Sequence, residues 1–256
     1  MKKISICIPT YEMKGKGHVF LEQSFGIFAE QTYQDFDIVI SDHSQDTAIE
    51  DLCKTYADKL DIYYYRNTEN RGNSSANINN AIKKATGQLI KVLFQDDFLF
   101  HEKALAEIAN CFDVEKDHWL VSGCTHTTDG TTFFKPFYPR PDTIHSIWIK
   151  TVYSSPSTLT IKNDSPLLFD ESLIWLMDSD YYRRCYDKFG EPKILHTINV
   201  VNRVGDHQVT NTVASRALQK REYTMMLERY ERGLNFWYYR TVGCLKDFIK
   251  HMLGKI

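Results

Sequence analysis

The stretch Leu89-Ile90-Lys91-Val92-Leu93-Phe94 is apolar but for one lysine, and it runs straight into Gln95-Asp96-Asp97. Such a run suits a central strand covered on both faces, which requires a sheet with helices on each side. Two adjacent acids at its end cannot both be left dry and unpaired, because each desolvated carboxylate costs several kcal/mol. They need a cation, a hydrogen-bond network or open water. In an open α/β sheet the carboxyl ends of the strands are where ligands bind. One expectation is therefore a divalent metal at Asp96 and Asp97 that bridges to an anionic substrate. The plainer one is that Asp97 caps a following helix.

The chain before this stretch repeats one pattern. Ile4, Ile6 and Ile8 alternate with Ser5 and Cys7 before Pro9-Thr10-Tyr11 stops the run, as in a first strand. Val19–Gln31 reads as a helix with Phe20, Leu21, Phe25, Phe28 and Ala29 as its apolar stripe. Phe36–Ile40 and Ile62–Tyr65 read as strands, with a helix over Thr47–Leu60 between them. Asn70–Ala85 reads as a loop and helix closed by Gly87. Strand and helix alternating at this spacing predict an α/β fold with a mostly parallel sheet flanked by helices. Neither G-x-G-x-x-G nor a P-loop follows the first strand, which argues against a dinucleotide dehydrogenase or a P-loop ATPase.

Further along, His101–Phe112 reads as a helix, and Trp119–Cys124 and Thr131–Phe137 as strands around the turn pair Asp129-Gly130. Thr143–Thr151 is ambiguous, Ser157–Ile161 reads as a strand, and Ser179–Phe189 as a helix stopped by Gly190. Ile194–Val201 is a late strand, and Ala214–Arg232 and Leu234–Leu253 are helical. Three parts follow: residues 1–100, residues 101–212 as the second half of the same domain, and a helical extension over 213–256.

Composition excludes more than it assigns. A net charge of -2 gives no global attraction to nucleic acid. The six cysteines form no C-x-x-C pair, so neither a zinc site nor a redox motif is supported, and a reducing, cytoplasmic setting fits. No apolar run is long enough to span a bilayer. Residues 213–256 carry nine Lys/Arg against four Asp/Glu, and Leu234, Trp237, Tyr238, Thr241, Leu245, Phe248, Ile249 and Met252 recur at helical spacing. That helix either lies on a membrane surface, packs on the domain, or meets a second copy of the chain.

Four clusters fall at one edge of the expected sheet. In Pro9-Thr10-Tyr11-Glu12, Tyr11 either stacks on a base or packs on the rim. Asp42 either accepts from a base imide N–H or forms a turn. Asn70-Arg71-Gly72-Asn73-Ser74-Ser75-Ala76-Asn77 opens a helix, where free backbone N–H groups and the dipole favour phosphate. Gln95-Asp96-Asp97 supplies hard oxygen ligands suited to Mg²⁺ or Mn²⁺.

From Ile4 to Thr212 the chain resembles a family 2 glycosyltransferase with the GT-A fold. Ser5-Ile6-Cys7-Ile8-Pro9-Thr10-Tyr11 matches that family's opening strand and nucleotide loop, and Ser41-Asp42 its base-reading acid, with His43 where a second acid often stands. Asn70-Arg71-Gly72 through Ala76-Asn77 is similar to its N-x-G-x-x-x-A-x-N segment, and Gln95-Asp96-Asp97 stands in place of its D-x-D motif. The resemblance implies a metal-dependent, inverting transfer of a sugar from a nucleotide donor, UDP-linked by the same token, to a saccharide or lipid-linked acceptor. Pro9, Thr10, Tyr11, Glu12, Asp42, Arg71, Asn77, Gln95 and Asp96 would meet the donor. Gln95 replaces the first acid, so Asp97 would carry the metal, with Asp96 near the ribose or metal. Met177-Asp178-Ser179-Asp180 matches an E-D-x-D-like helix start, which makes Asp178 the implied catalytic base; without the resemblance it reads as a helix cap. Arg203 and His207 lie where phosphate or metal contacts are placed, His207 as a second metal ligand. The competing readings are a nucleotidyltransferase, whose basic glycine loop would be Met13-Lys14-Gly15-Lys16-Gly17, and a non-catalytic carbohydrate-binding protein.

Overall fold

Alternate residues of the first strand, β1 (Ile4–Thr10), feed two separate cores. Ile4, Ile6 and Ile8 face one side of the sheet and Cys7 the other, as the two-residue period of a strand dictates. A computed structural model of the chain describes residues 3–141, 152–206 and 215–241. Helices α1 (Gly17–Ala29), α2 (Ala48–Tyr56) and α4 (Ala104–Cys111) cover the Ile face through Leu21, Phe25, Phe28, Ile49, Cys53, Leu105 and Ile108. Helices α3 (Ser74–Lys84), α5 (Met177–Phe189) and α6 (Arg216–Tyr230) cover the opposite face through Ile78, Ile82, Tyr181, Cys185, Met226 and Leu227. Helix α6, although it lies beyond residue 212, thus shares a core with the sheet.

The remaining strands are β2 (Phe36–Asp42), β3 (Ile62–Arg66), β4 (Leu89–Val92), β5 (Phe98–Leu99), β6 (Trp119–Thr127), β7 (Phe134–Phe137), β8 (Leu159–Lys162) and β9 (Lys193–Arg203). They form one sheet in the order β3-β2-β1-β4-β8-β6-β9-β5, with β7 paired to β6. β1, β2, β3 and β4 run parallel; β8 runs against both β4 and β6, and β9 runs with β6. Six strands therefore point one way, and the sheet is mostly parallel. Their carboxyl ends gather Thr10, Asp42, Arg66 and Arg203 along one edge.

Several sequence expectations shift in register. The central strand ends at Val92, not at the acids: Leu93 N–H still bonds Cys7 O at 3.0 Å, and Asp97 N–H then closes a tight turn on Phe94 O at 3.0 Å. Gly87 does not cap α3, which ends at Lys84. It lies against β1, where a Cβ would stand 2.7 Å from the Ser5 nitrogen. Gly190 does stop α5, with φ +81° and its N–H on Tyr186 O at 2.9 Å. Ser157 belongs to a 3₁₀ turn over Pro156–Thr158 that precedes β8. Thr143–Thr151 and His207 lie outside the described residues, and of the helix expected over Leu234–Leu253 only the part up to residue 241 falls within them, in helical turns over 233–241.

Candidate active site

Asp42 ends β2 with no exposure and is saturated with donors. Its Oδ1 accepts from Thr10 Oγ1 at 3.0 Å, Ser44 N–H at 2.9 Å and Ser44 Oγ at 2.6 Å. Its Oδ2 accepts from the Tyr64 hydroxyl at 2.7 Å and faces the Arg66 guanidinium at 3.4 Å. A carboxylate offers about four acceptor positions, so this one is spent on the fold. Asn77 is equally occupied: its amide donates to Thr10 O at 3.0 Å, and its oxygen accepts from Ser41 Oγ at 2.7 Å. Thr10, Asp42 and Asn77 thus lock three elements together at the sheet edge, where the sequence pointed to donor contacts. Tyr64 and Arg66 complete this lock. Sequence reasoning missed both, because only the parallel pairing of β2 with β3 brings them beside Asp42.

What this lock holds in place is the loop after β1 and the amino end of α3. Pro9 is buried within β1, Tyr11 is 45% exposed, and Glu12 is half-buried beside it. Burial raises the Tyr11 phenol above its usual range, and the nearby negative charges of Asp96 and Glu12 add to this. Asn73 caps α3 by accepting from Ala76 N–H at 3.0 Å, while Arg71 beside it is exposed. Asn70 and Gly72, with φ +49° and +84°, give the loop its left-handed bends. His43 is driven toward its neutral form chiefly by burial, with Arg71's charge acting in the same direction. A Glu69 carbonyl bond at 3.0 Å opposes this, and so does Asp42.

The acid turn is built from beneath. Gln95 is 3% exposed and accepts Tyr11 N–H at 2.9 Å, so a neutral amide ties the first loop to the turn. Its Nε2 packs where α1 starts: a Cβ on Gly17 would sit 2.5 Å from it and 2.2 Å from Tyr11 O. Asp97, expected to carry the metal, points inward. It is 6% exposed, and its Oδ1 accepts from Arg203 N–H at 2.9 Å. Burial, and then the charge of Asp96, raise its pKa well above the carboxylate range, against the lowering effect of Ser157 and Arg203. Asp96 is half-buried and the more open of the two. Arg203 offers its guanidinium to no open space: it lies between the rings of Phe20 and Phe98 and donates to Asp96 O and Gln23. Below the pair, Lys91 is fully buried with its ammonium on Ser157 O, and burial lowers its pKa to about 7 against the pull of Asp97.

Asp178 lies in the first turn of α5, not at the cap, which is Leu176. It is half-buried, and its Oδ1 accepts from Ser179 N–H at 2.7 Å. Burial raises its pKa to about 6; the Ser179 bond opposes this and the charge of Glu222 adds to it. That is the range of a working general base. The same turn reaches α3: Ser74 and Ser75 hydroxyls lie 3.4 Å and 3.6 Å from Met177 Sδ, and Ser75 Oγ donates to Leu173 O at 3.0 Å. Two helix amino ends therefore abut, one suited to phosphate and one bearing the candidate base.

A metal can be tested against this donor set. Among the described residues no three His, Cys, Asp or Glu side chains converge on one point. Asp97 is turned inward, but the half-buried carboxylate of Asp96 is a fitting partial set by itself, since Mg²⁺-like ions take one or two protein carboxylates and complete their shell with substrate phosphates and water.

A curled, mostly parallel sheet with helices on both faces and loops gathered at its carboxyl edge is the GT-A architecture. The crystal structure of S. aureus TarS shares it, with a TM-score of 0.64 at 20% identity over 80% of this chain, which spans 37% of that one. The same holds for TarS 1–349 in complex with UDP-GlcNAc, at a TM-score of 0.64, 20% identity, and 80% and 60% coverage. The mannosyltransferase PcManGT from Pyrobaculum calidifontis, in complex with GDP-Man and Mn²⁺, is similar at a TM-score of 0.60 and 16% identity, over 92% of this chain and 66% of its own. Among curated proteins, an uncharacterized glycosyltransferase of Rickettsia typhi is 25% identical over 245 residues, 90% of this chain and 72% of that protein. The model of glycosyl transferase family 2 matches residues 5–172, and the chain belongs to that family of glycosyltransferases.

Proposed function

We propose that the protein transfers a sugar, with inversion, from a UDP-linked donor to a hydroxyl of a saccharide or lipid-linked acceptor. The observation that carries the reading is Asp178: a half-buried carboxylate with a pKa of about 6, in a turn packed on the amino end of α3. The donor's diphosphate would lie between that amino end, with Arg71 at its side, and the acid turn. Tyr11, more exposed than its neighbours, is suited to stack on the nucleobase. Pro9 and Thr10 shape the floor beneath it, and Glu12 borders it.

Asp96 is the carboxylate best suited to hold Mn²⁺ or Mg²⁺ at the diphosphate, with buried Asp97 fixing the turn behind it. A divalent cation held there would neutralise charge on the departing nucleoside diphosphate. Asp178 takes the proton from the acceptor hydroxyl as that oxygen bonds to the anomeric carbon. The bond from that carbon to the diphosphate oxygen breaks, and its electron pair leaves with the nucleotide. Attack from the face opposite the leaving group inverts the centre. The UDP assignment rests on the resemblance and on TarS as a structural neighbour.

The lipid-linked alternative for the acceptor has support in the turns over 233–241. Phe236 and Tyr239 pack on the core, while Leu234, Trp237 and Tyr238 are 88%, 62% and 62% exposed. One face is thereby seated and the other is apolar and open, as a surface-lying helix requires.

A thermal-shift series with UDP-GlcNAc, UDP-glucose and GDP-mannose, with and without Mn²⁺, tests the donor. A true donor raises the Tm only with the metal present, and release of free UDP on adding acceptor completes the assignment. A chain stabilised by neither UDP sugar, or by GDP-mannose alone, and releasing no UDP would refute it.

A further inference from the structure

Glu222 of α6 has no exposure, and its carboxylate accepts three consecutive backbone N–H groups. These are Ile174 at 2.8 Å, Trp175 at 2.9 Å and Leu176 at 2.8 Å. Leu176 is the N-cap of α5 and makes no side-chain cap bond. Helix starts leave backbone N–H groups without partners and favour negative charge, needs that a nearby Ser or Asp ordinarily meets. Here a carboxylate 46 residues away in sequence meets the N–H of the N-cap, together with the two N–H groups that lead into it. Two residues past Leu176 stands Asp178.

The same helix also holds the other side of that turn. Asp180, with no exposure, accepts from Arg229 at 2.6 Å and from the Tyr230 hydroxyl at 2.6 Å, both of α6, and from Arg184 at 2.7 Å. Arg229 also pairs with Asp170 at 2.8 Å, before α5. Asp178 is therefore bracketed by two sets of charged contacts to one helix. A buried carboxylate is a costly way to satisfy amides that a neutral residue could serve, and its charge falls beside another acid.

We propose that Glu222 is a positioning residue for Asp178, fixing where the base stands and keeping it basic. This rests on the reading of Asp178 as the base. The groups acting on Asp178 are Glu222 from α6 and, within its own turn, the N–H and hydroxyl of Ser179 and its own backbone N–H. Tyr182, one turn on in α5, feels the charge of Asp178 in turn. Glu222 repels the ionised form of Asp178, whereas the Ser179 bond favours it.

The test is Glu222→Gln in the full chain without ligand, followed by ¹³C-carboxyl NMR of labelled aspartates. Asp178→Asn assigns the Asp178 signal by its disappearance. The Asp178 midpoint should fall by about half a unit once the neighbouring charge is gone, and amide exchange at 174–176 should quicken by about tenfold or more. A folded Glu222→Gln protein with an unmoved Asp178 midpoint overturns the proposal. If Glu222→Gln does not fold, Glu222→Asp keeps the charge and shortens the reach; unchanged protection of the three amides there overturns it equally. Asp178→Asn in a UDP-release assay separates the two claims: retained turnover ends the base reading itself. An inactive Asp178→Asn beside an unmoved midpoint in Glu222→Gln ends only the role of Glu222.

Discussion

The backbone N–H of Arg203, last residue of β9, donates to Asp97 Oδ1 at 2.9 Å and so ties the far end of the sheet to the acid turn. That bond separates two substitutions. Asp97→Asn keeps the acceptor and removes a charge that burial already disfavours, so its stability should stay within about 1 kcal/mol of the parent. Asp97→Ala orphans a buried N–H and should lose about 1–3 kcal/mol. Urea denaturation of the two proteins checks the difference; equal midpoints would mean the bond holds nothing.

Asp96 should behave differently from its neighbour. It is the more open carboxylate, so Asp96→Asn should leave the unfolding midpoint in place and abolish the extra Tm that Mn²⁺ confers on UDP binding. Thermal shifts with UDP alone and with UDP and Mn²⁺ give the answer. A full Mn²⁺ increment in Asp96→Asn would move the metal role back to Asp97.

The order of elements was legible in the sequence because it depends on local periodicity: Ile4, Ile6 and Ile8 alternate, and Phe25 and Phe28 fall on one helical face. The positions of Pro9, Asp42, Asn70 and Asp96 near one edge followed from the strand order that such a pattern allows, whereas Asp178 was singled out by the family resemblance alone. The orientation of side chains at that edge was not legible. Asp42 looks free in sequence, and its occupation by Tyr64 and Arg66 comes from pairing across strands. Likewise, nothing local marks Glu222, whose partners are 46 to 48 residues away. Lys91 was the one visible irregularity, a cation inside an apolar run. Its meaning appears only with Ser157 and Asp97 around it.

Asp42→Asn tests how much of the edge depends on one carboxylate. The substitution removes one of the two carboxylates facing the Arg66 guanidinium, leaving Glu50, and places an amide donor against donors from Ser44 or Tyr64. A loss of about 2–4 kcal/mol is expected. It should appear in chemical denaturation before any ligand is added. If stability is unchanged and only UDP binding falls, the carboxylate serves the nucleobase after all.

Gly17 gives a steric test of the first loop. A methyl group there would meet Tyr11 O at 2.2 Å and Gln95 Nε2 at 2.5 Å, separations that force the loop, the turn or the start of α1 to move. Gly17→Ala should therefore cost about 1–3 kcal/mol as overpacking, and should weaken UDP binding because Tyr11 is displaced. Calorimetry of UDP binding beside a denaturation curve separates the two losses, and a parent-like protein in both would show that the loop adapts freely.

The pH dependence of turnover follows from Asp178. A base must be ionised to accept a proton, and this carboxylate has its pKa raised to about 6, chiefly by burial. Activity should therefore be low at pH 5, rise through about pH 6 and level off above it. Below the usual carboxylate range Asp178 is protonated in both the folded and unfolded chain and has no effect on stability. Between that range and pH 6 the folded state binds the extra proton, so rising pH costs the fold stability as turnover is gained. Asp178→Asn should abolish the limb, cut turnover by about 10²–10⁴, and leave UDP affinity unchanged. A limb that persists in the residual activity of that variant would assign the titration to another group.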